Sequence, residues 1–81
     1  MAAQAKAPTI GDRVRGIRVQ SRLRQADLAG LLGLSPAAYA RRESDEVQFK
    51  ATEIATLARR FGVPSASLLG EEAAKWPDTY R

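Results

Sequence analysis

Hydrophobic positions along the chain recur at helical spacing in short runs, and each run is bracketed by polar or glycine signals. Ile10, Val14 and Ile17 fall on one helical face, preceded by Thr9 as cap and by Asp12 three residues later as a capping-box partner, which predicts a first helix to about residue 21. The stretch QADLAGLLG places Leu28, Ala29, Leu31 and Leu32 in a second short helix from Gln25, ended by Gly33. Ser35 and Pro36 restart the chain as a third helix reaching residue 42 or 43. A fourth helix over about residues 50 to 61 is predicted to bury Ala51, Ile54, Leu57, Ala58 and Phe61, and Gly62 ends it. Pro64 opens a short fifth helix through Leu68 and Leu69, closed by Gly70. No strand signal or internal repeat interrupts this pattern, so the expected fold is all-α, five helices around one core.

Residues 1 to 8 lack periodicity and read as a loose arm; residues 71 to 81 read as a tail whose Trp76 and Tyr80 are large groups to leave in water. Between them lies one domain, residues 9 to 70, in a chain of 81 residues that is 44% hydrophobic. No residue stretch reaches membrane-spanning length, and the amino-terminal residues lack the apolar centre of a signal peptide, so an intracellular protein is expected.

Absent side chains narrow the chemistry. Without cysteine or histidine there is no disulfide framework, thiolate zinc site or Ser-His or Cys-His nucleophile, and no metal or cofactor is expected. The acids are scattered and a chain this short has little room for a substrate cleft, so neither an enzyme nor a small-molecule ligand is expected. The net charge is +4, and Arg13, Arg15, Arg18, Arg22 and Arg24 fall within twelve residues. Guanidinium groups form fork-like bonds with phosphate and guanine, so this basic stripe reads either as the footprint of a nucleic-acid binder or as a solvated charged face.

Gln25 at the start of helix two, Ala29 where two helices touch, Gly33 in the joint, Leu34 and Tyr39 as core plugs and Glu43 at the end of helix three form a constellation. With FGVPSASLL further on, residues 10 to 69 resemble the helix-turn-helix DNA-binding domain of the phage Cro and phage-repressor type, the XRE family. The resemblance implies an operator-binding transcriptional regulator on double-stranded DNA. It would act as a homodimer in a bacterial cytoplasm, associated with the nucleoid, with helix three in the major groove. Phage regulators, restriction-modification controllers and antitoxin repressors share this size and fold.

The resemblance places base contacts at Ser35, Pro36, Ala37, Ala38 and Arg41. Arg41 alone among them can grip guanine with two bonds, with a phosphate contact as its rival role, while Ala37 and Ala38 offer methyl surface to thymine. Phosphate contacts are expected from Arg22, Arg24, Gln25, Arg42, Ser44 and Lys50. Arg22 either touches phosphate or solvates its turn. Arg42 occupies a position that is commonly apolar or aromatic in the family, so its stem is expected to cover the core while its head reaches outward. Arg18 and Glu43 are expected to form a structural ion pair, with a free, phosphate-binding Arg18 as the alternative. Pro64, Leu68, Leu69 and Trp76 are the candidate dimer surface, although Leu68 also reads as core. The competing function is a protein-interaction adaptor that keeps the fold without reading DNA, supported by the Pro-Ala-Ala start of helix three and by Asp45-Glu46. Asp45 stands where the family often has Gly, and acids there repel a phosphate backbone unless the segment turns away.

Overall fold

The computed structural model describes residues 8–70. It contains α1 (Ile10–Gln20), α2 (Gln25–Leu32), α3 (Pro36–Glu43), α4 (Ala51–Phe61) and α5 (Ser65–Leu69), with no strand among the described residues. The arm, except for its last residue, and the tail with Trp76 and Tyr80 lie outside the described residues.

Local chemistry fixes the helix ends. Thr9 Oγ1 accepts from Asp12 N and the Asp12 carboxylate accepts from Thr9 N, both at 3.0 Å, so two amides that a helix start leaves unpaired are satisfied reciprocally. Ser35 Oγ accepts from Ala38 N at 3.1 Å, and Pro36 occupies a first-turn position where its missing N–H costs nothing. In α2 and α4 the third-residue acids, Asp27 and Glu53, reach back to the backbone N–H of Arg24 and Lys50 at 2.8 and 2.9 Å.

The joint between α2 and α3 is short because Gly33 takes φ +70°, a left-handed conformation that costs glycine little. Leu34 N then donates to Ala29 O at 2.8 Å, turning the chain sharply into α3.

Val14, Leu28, Ala29, Tyr39, Ile54, Leu57, Ala58 and Leu68 form the buried core, drawn from all five helices. The Tyr39 ring meets Phe49 edge to face, with centroids 6.0 Å apart, which seats α3 on the connection leading to α4. One expected burial fails. Ala51 is exposed, because at the first position of α4 it precedes the turn whose inward face is supplied by Glu53, Ile54, Leu57 and Ala58. Leu31 is 43% exposed, since Leu28, Ala29 and the half-buried Leu32 already span the inward face of the short α2.

The start of α1 lies against the end of α3. A Cβ on Gly11 would stand 2.2 Å from the Glu43 carbonyl oxygen, so only a residue without one fits there. Asp45 exploits the same approach. It adopts φ +71°, a conformation that Asp tolerates better than most residues, and its carboxylate accepts from Gly11 N at 3.1 Å and from the Thr9 hydroxyl. The acid that stands where glycine is common thus serves as an additional cap on α1.

Candidate nucleic-acid interface

Alternate faces of α3 do different work. Ser35, Pro36, Ala37 and Arg41 are exposed, Ala38 and Ala40 are half-buried, and Tyr39 and Glu43 are buried. The Arg41 guanidinium has no hydrogen-bond or ion-pair partner among the described residues, whereas its own carbonyl oxygen closes the following turn by accepting from Glu46 N and Val47 N.

Glu43 anchors the helix. Its Oε2 accepts from Arg18 Nε at 2.8 Å and from the Tyr39 hydroxyl at 2.7 Å; its Oε1 accepts from Arg18 Nη2 at 3.1 Å and from Gln25 Nε2 at 2.8 Å. Arg18 also donates from Nη1 to Leu23 O at 2.9 Å, so one ion pair joins α1, the α1–α2 turn, α2 and α3. Burial by itself pushes the Glu43 carboxyl up, but donors from Arg18, Tyr39 and Gln25 together outweigh it and hold the group below the usual carboxylate range. Conversely, burial first and the bond to Glu43 second raise the Tyr39 phenol. Arg18 is thereby committed within the fold, with its side chain 13% exposed.

Arg42 departs from expectation. Its side chain is 11% exposed, its Nε donates to Glu53 Oε1 at 2.8 Å, and its Nη1 donates to Ala38 O at 3.3 Å. The head expected to reach a phosphate is instead folded inward, because Glu53 supplies a buried carboxylate next to its stem. Burial pushes Glu53 up, but the Lys50 amide and Arg42 prevail and its carboxyl titrates below the usual range.

The other expected phosphate contacts are distributed unevenly. Gln25 is half-buried with one amide N–H given to Glu43, leaving the second N–H of its amide group as donor capacity. Arg24 is exposed but paired with Asp27 at 3.0 Å. Arg22 and Lys50 are exposed and their side chains form no ion pair among the described residues, although the Lys50 charge helps hold the Glu53 carboxyl down; Arg22 sits at φ +60°, in the left-handed region. Ser44 Oγ lies 3.1 Å from Arg41 O and 3.2 Å from the Glu46 carboxylate.

A surface groove of about 360 Å³ gathers Gln25 and Ser44 with Arg18, Glu43 and Asp45, and Asp12 and Arg15 also line it. Arg15 belongs to the basic stripe but is not among the individually expected DNA contacts. Its i, i+3 relation to Arg18 on α1 is the signal that puts it beside that groove.

A helix-turn-helix domain model matches residues 9–71. The chain belongs to the helix-turn-helix family. Among solved structures, the fold is similar to the P22 c2 repressor, whose crystal structure is in complex with synthetic operator 9T in the presence of Tl+. The TM-score is 0.70 at 25% sequence identity, over 78% of this chain and 96% of that one. No curated protein shows significant sequence similarity to the chain.

Within this helix-turn-helix domain the expected dimer residues separate. Pro64 and Leu69 are exposed, Leu69 at 41%, whereas Leu68 is fully buried and belongs to the core. Leu68 is removed from the candidate interface for that reason, because the inward side of α5 rests on the rest of the bundle. Trp76 falls outside the described residues. Among the described residues, no helix is long and apolar enough to cross a membrane.

Proposed function

We propose that this helix-turn-helix domain is a double-stranded DNA-binding transcriptional regulator that recognises an operator as a homodimer, with α3 in the major groove. One observation carries the reading: α3 presents an exposed edge of Pro36, Ala37 and an unpaired Arg41, while its opposite side is clamped through Glu43 to α1 and α2. A small-residue tip lets the backbone approach base edges closely, and Arg41 supplies the fork that reads guanine. Rigid support matters because base readout is geometric.

Similarity to a repressor solved in complex with an operator supports the same reading. Lys50, Arg22, Ser44 and the remaining amide N–H of Gln25 are the backbone contacts in this scheme, with Arg24 joining them where phosphate displaces Asp27. Asp45, which counted towards an adaptor, has its carboxylate engaged by Gly11 and Thr9. Pro64, Leu69 and Trp76 are the proposed dimer contacts, and a bacterial cytoplasm with nucleoid association is the expected location. Residues 1 to 8 and 71 to 81 flank the DNA-binding unit as arm and tail.

Selection of bound sequences from a random duplex library, followed by affinity measurements across a salt series, tests the proposal. An enriched site bound at least about a thousandfold more tightly than random duplex, with affinity falling steeply as salt rises, is the expected result. Failure to enrich any sequence refutes it. Arg41→Ala should erase discrimination at one base pair of each half-site; uniform weakening across sequences would move Arg41 to the phosphate backbone.

A further inference from the structure

We infer that Arg42 is a positioning residue for operator selection: through Glu53 it sets the angle at which α3 stands off α4, and it makes no contact with DNA. The inference rests on the DNA-reading role proposed above.

Glu43 binds α3 to the α1–α2 side of the domain through Arg18 and Gln25, and the start of α1 touches the end of α3 through Gly11 and Asp45. On the other flank the Tyr39–Phe49 ring contact reaches only the connection before α4, so a directional hold on α4 itself must come from elsewhere. Arg42 supplies the hold. Its Nε donates to Glu53 Oε1 at 2.8 Å, and the same oxygen accepts from Lys50 N, the cap of α4, at 2.9 Å. One carboxylate oxygen therefore joins the start of α4 to the last turn of α3.

The second nitrogen shown in a bond, Nη1, returns to Ala38 O at 3.3 Å, within α3 itself, so the guanidinium lies along the helix instead of extending from it. With side-chain exposures of 11% and 10%, and with Nε given to Glu53 and Nη1 to Ala38 O, a phosphate would have to displace a bond within the fold to take the fork. Arg41, one residue earlier, faces solvent. A rotation of α3 that strained the Arg42–Glu53 bond would therefore sweep Arg41 across the groove floor.

Buried pairs of this kind often contribute little net stability compared with apolar side chains of similar volume, and in some proteins such polar groups select one packing register over its alternatives. Arg42→Met keeps most of the apolar stem while deleting the fork, and Glu53→Gln keeps an acceptor for the α4 cap while deleting the charge. The ratio of affinities for the selected operator and for random duplex is the decisive readout. Loss of folded fraction scales both affinities equally and leaves their ratio intact, whereas misplacement of α3 lowers it.

With the unmodified protein measured in parallel, Arg42→Met is expected to lower that ratio by roughly 5- to 100-fold, about the worth of one well-made base contact, with the salt dependence of random-duplex binding unchanged. Glu53→Gln should lower it in the same direction, and the double variant should fall no further than Arg42→Met. A decrease of about 0.9 in the salt slope for Arg42→Met makes Arg42 a phosphate contact and overturns the inference. An unchanged ratio in both single variants also overturns it, while leaving DNA reading intact. Absence of any site preference in the unmodified protein refutes the functional reading and this inference with it.

Discussion

Glu43→Gln removes one charge and almost no volume from the point where three helices are tied. Each native carboxylate oxygen accepts two bonds, from Arg18 Nη2 and Gln25 at Oε1 and from Arg18 Nε and Tyr39 at Oε2. An amide has one acceptor oxygen, and its nitrogen must face two of those groups. The Tyr39 hydroxyl can rotate and accept, but Arg18 Nε–H cannot, so the best orientation still leaves one donor facing another. With side-chain exposures of 13% for Arg18 and 3% for Glu43, water replaces little of the loss. Removing one partner of a buried pair costs about 3 to 5 kcal/mol, and the retained oxygen and volume put this case near 3 kcal/mol. For a domain of this size each kcal/mol is worth about 4 to 8 °C, so Tm near pH 7 should drop by roughly 12 to 24 °C.

Acid provides the internal control. The folded-state pKa of Glu43 lies below its ordinary value of 4.5, so its contribution is fully present above that value and is lost as pH falls through the folded pKa. Glu53 has the same sign, so both proteins lose stability in acid, but the term due to Glu43 is absent from the variant. The gap between the two melting curves should consequently narrow below the ordinary carboxylate pKa. Far-UV circular dichroism melts over a series from about pH 7 to pH 3 measure it. A drop smaller than about 4 °C near pH 7, or a gap that stays constant in acid, would refute the assignment of Glu43 as the stabilising hub.

Three further substitutions test separate features. Gly11→Ala places a Cβ 2.2 Å from the Glu43 carbonyl and should cost about 1 to 3 kcal/mol in a denaturant melt; full stability would contradict the tight approach of α1 to α3. Gly30→Ala, where nothing lies within 4 Å, should instead raise stability by about 1 kcal/mol, and a loss would reveal a packing partner for that face. Arg22→Gly relieves the left-handed backbone at φ +60° and should raise stability slightly, by about 0.5 kcal/mol after the greater chain entropy of glycine is counted. The same variant should lower the salt slope of DNA binding by about 0.9, and an unchanged slope would restrict Arg22 to its turn.

The helix pattern was legible because its stops and starts are local. Thr9 with Asp12, Ser35 before Pro36 and Gly33 at the joint each act within a few residues, and the five-helix order follows from them. Glu53 was not legible in the same way. Three residues into α4 it reads as an ordinary capping acid, and nothing local announces that Arg42, eleven residues earlier, shares its oxygen. The expectation that Arg42 would reach outward followed from its charge and overlooked that buried partner. Asp45 hid its role for a related reason: its partners, Gly11 and Thr9, lie 34 and 36 residues away. Ala51 is exposed although it shares the apolar period of α4, because helical periodicity identifies a face without saying where along the helix the core begins.

The division of α3 into inward and outward residues also bears on how such a domain changes its target. Tyr39, Arg42 and Glu43 are held by partners inside the fold, and Ser35 is held by its cap, whereas Pro36, Ala37 and Arg41 contact no core side chain through a polar bond. Descendants of this sequence can thus exchange the three outward residues as a cassette, acquiring a new recognition preference while inheriting an unaltered scaffold.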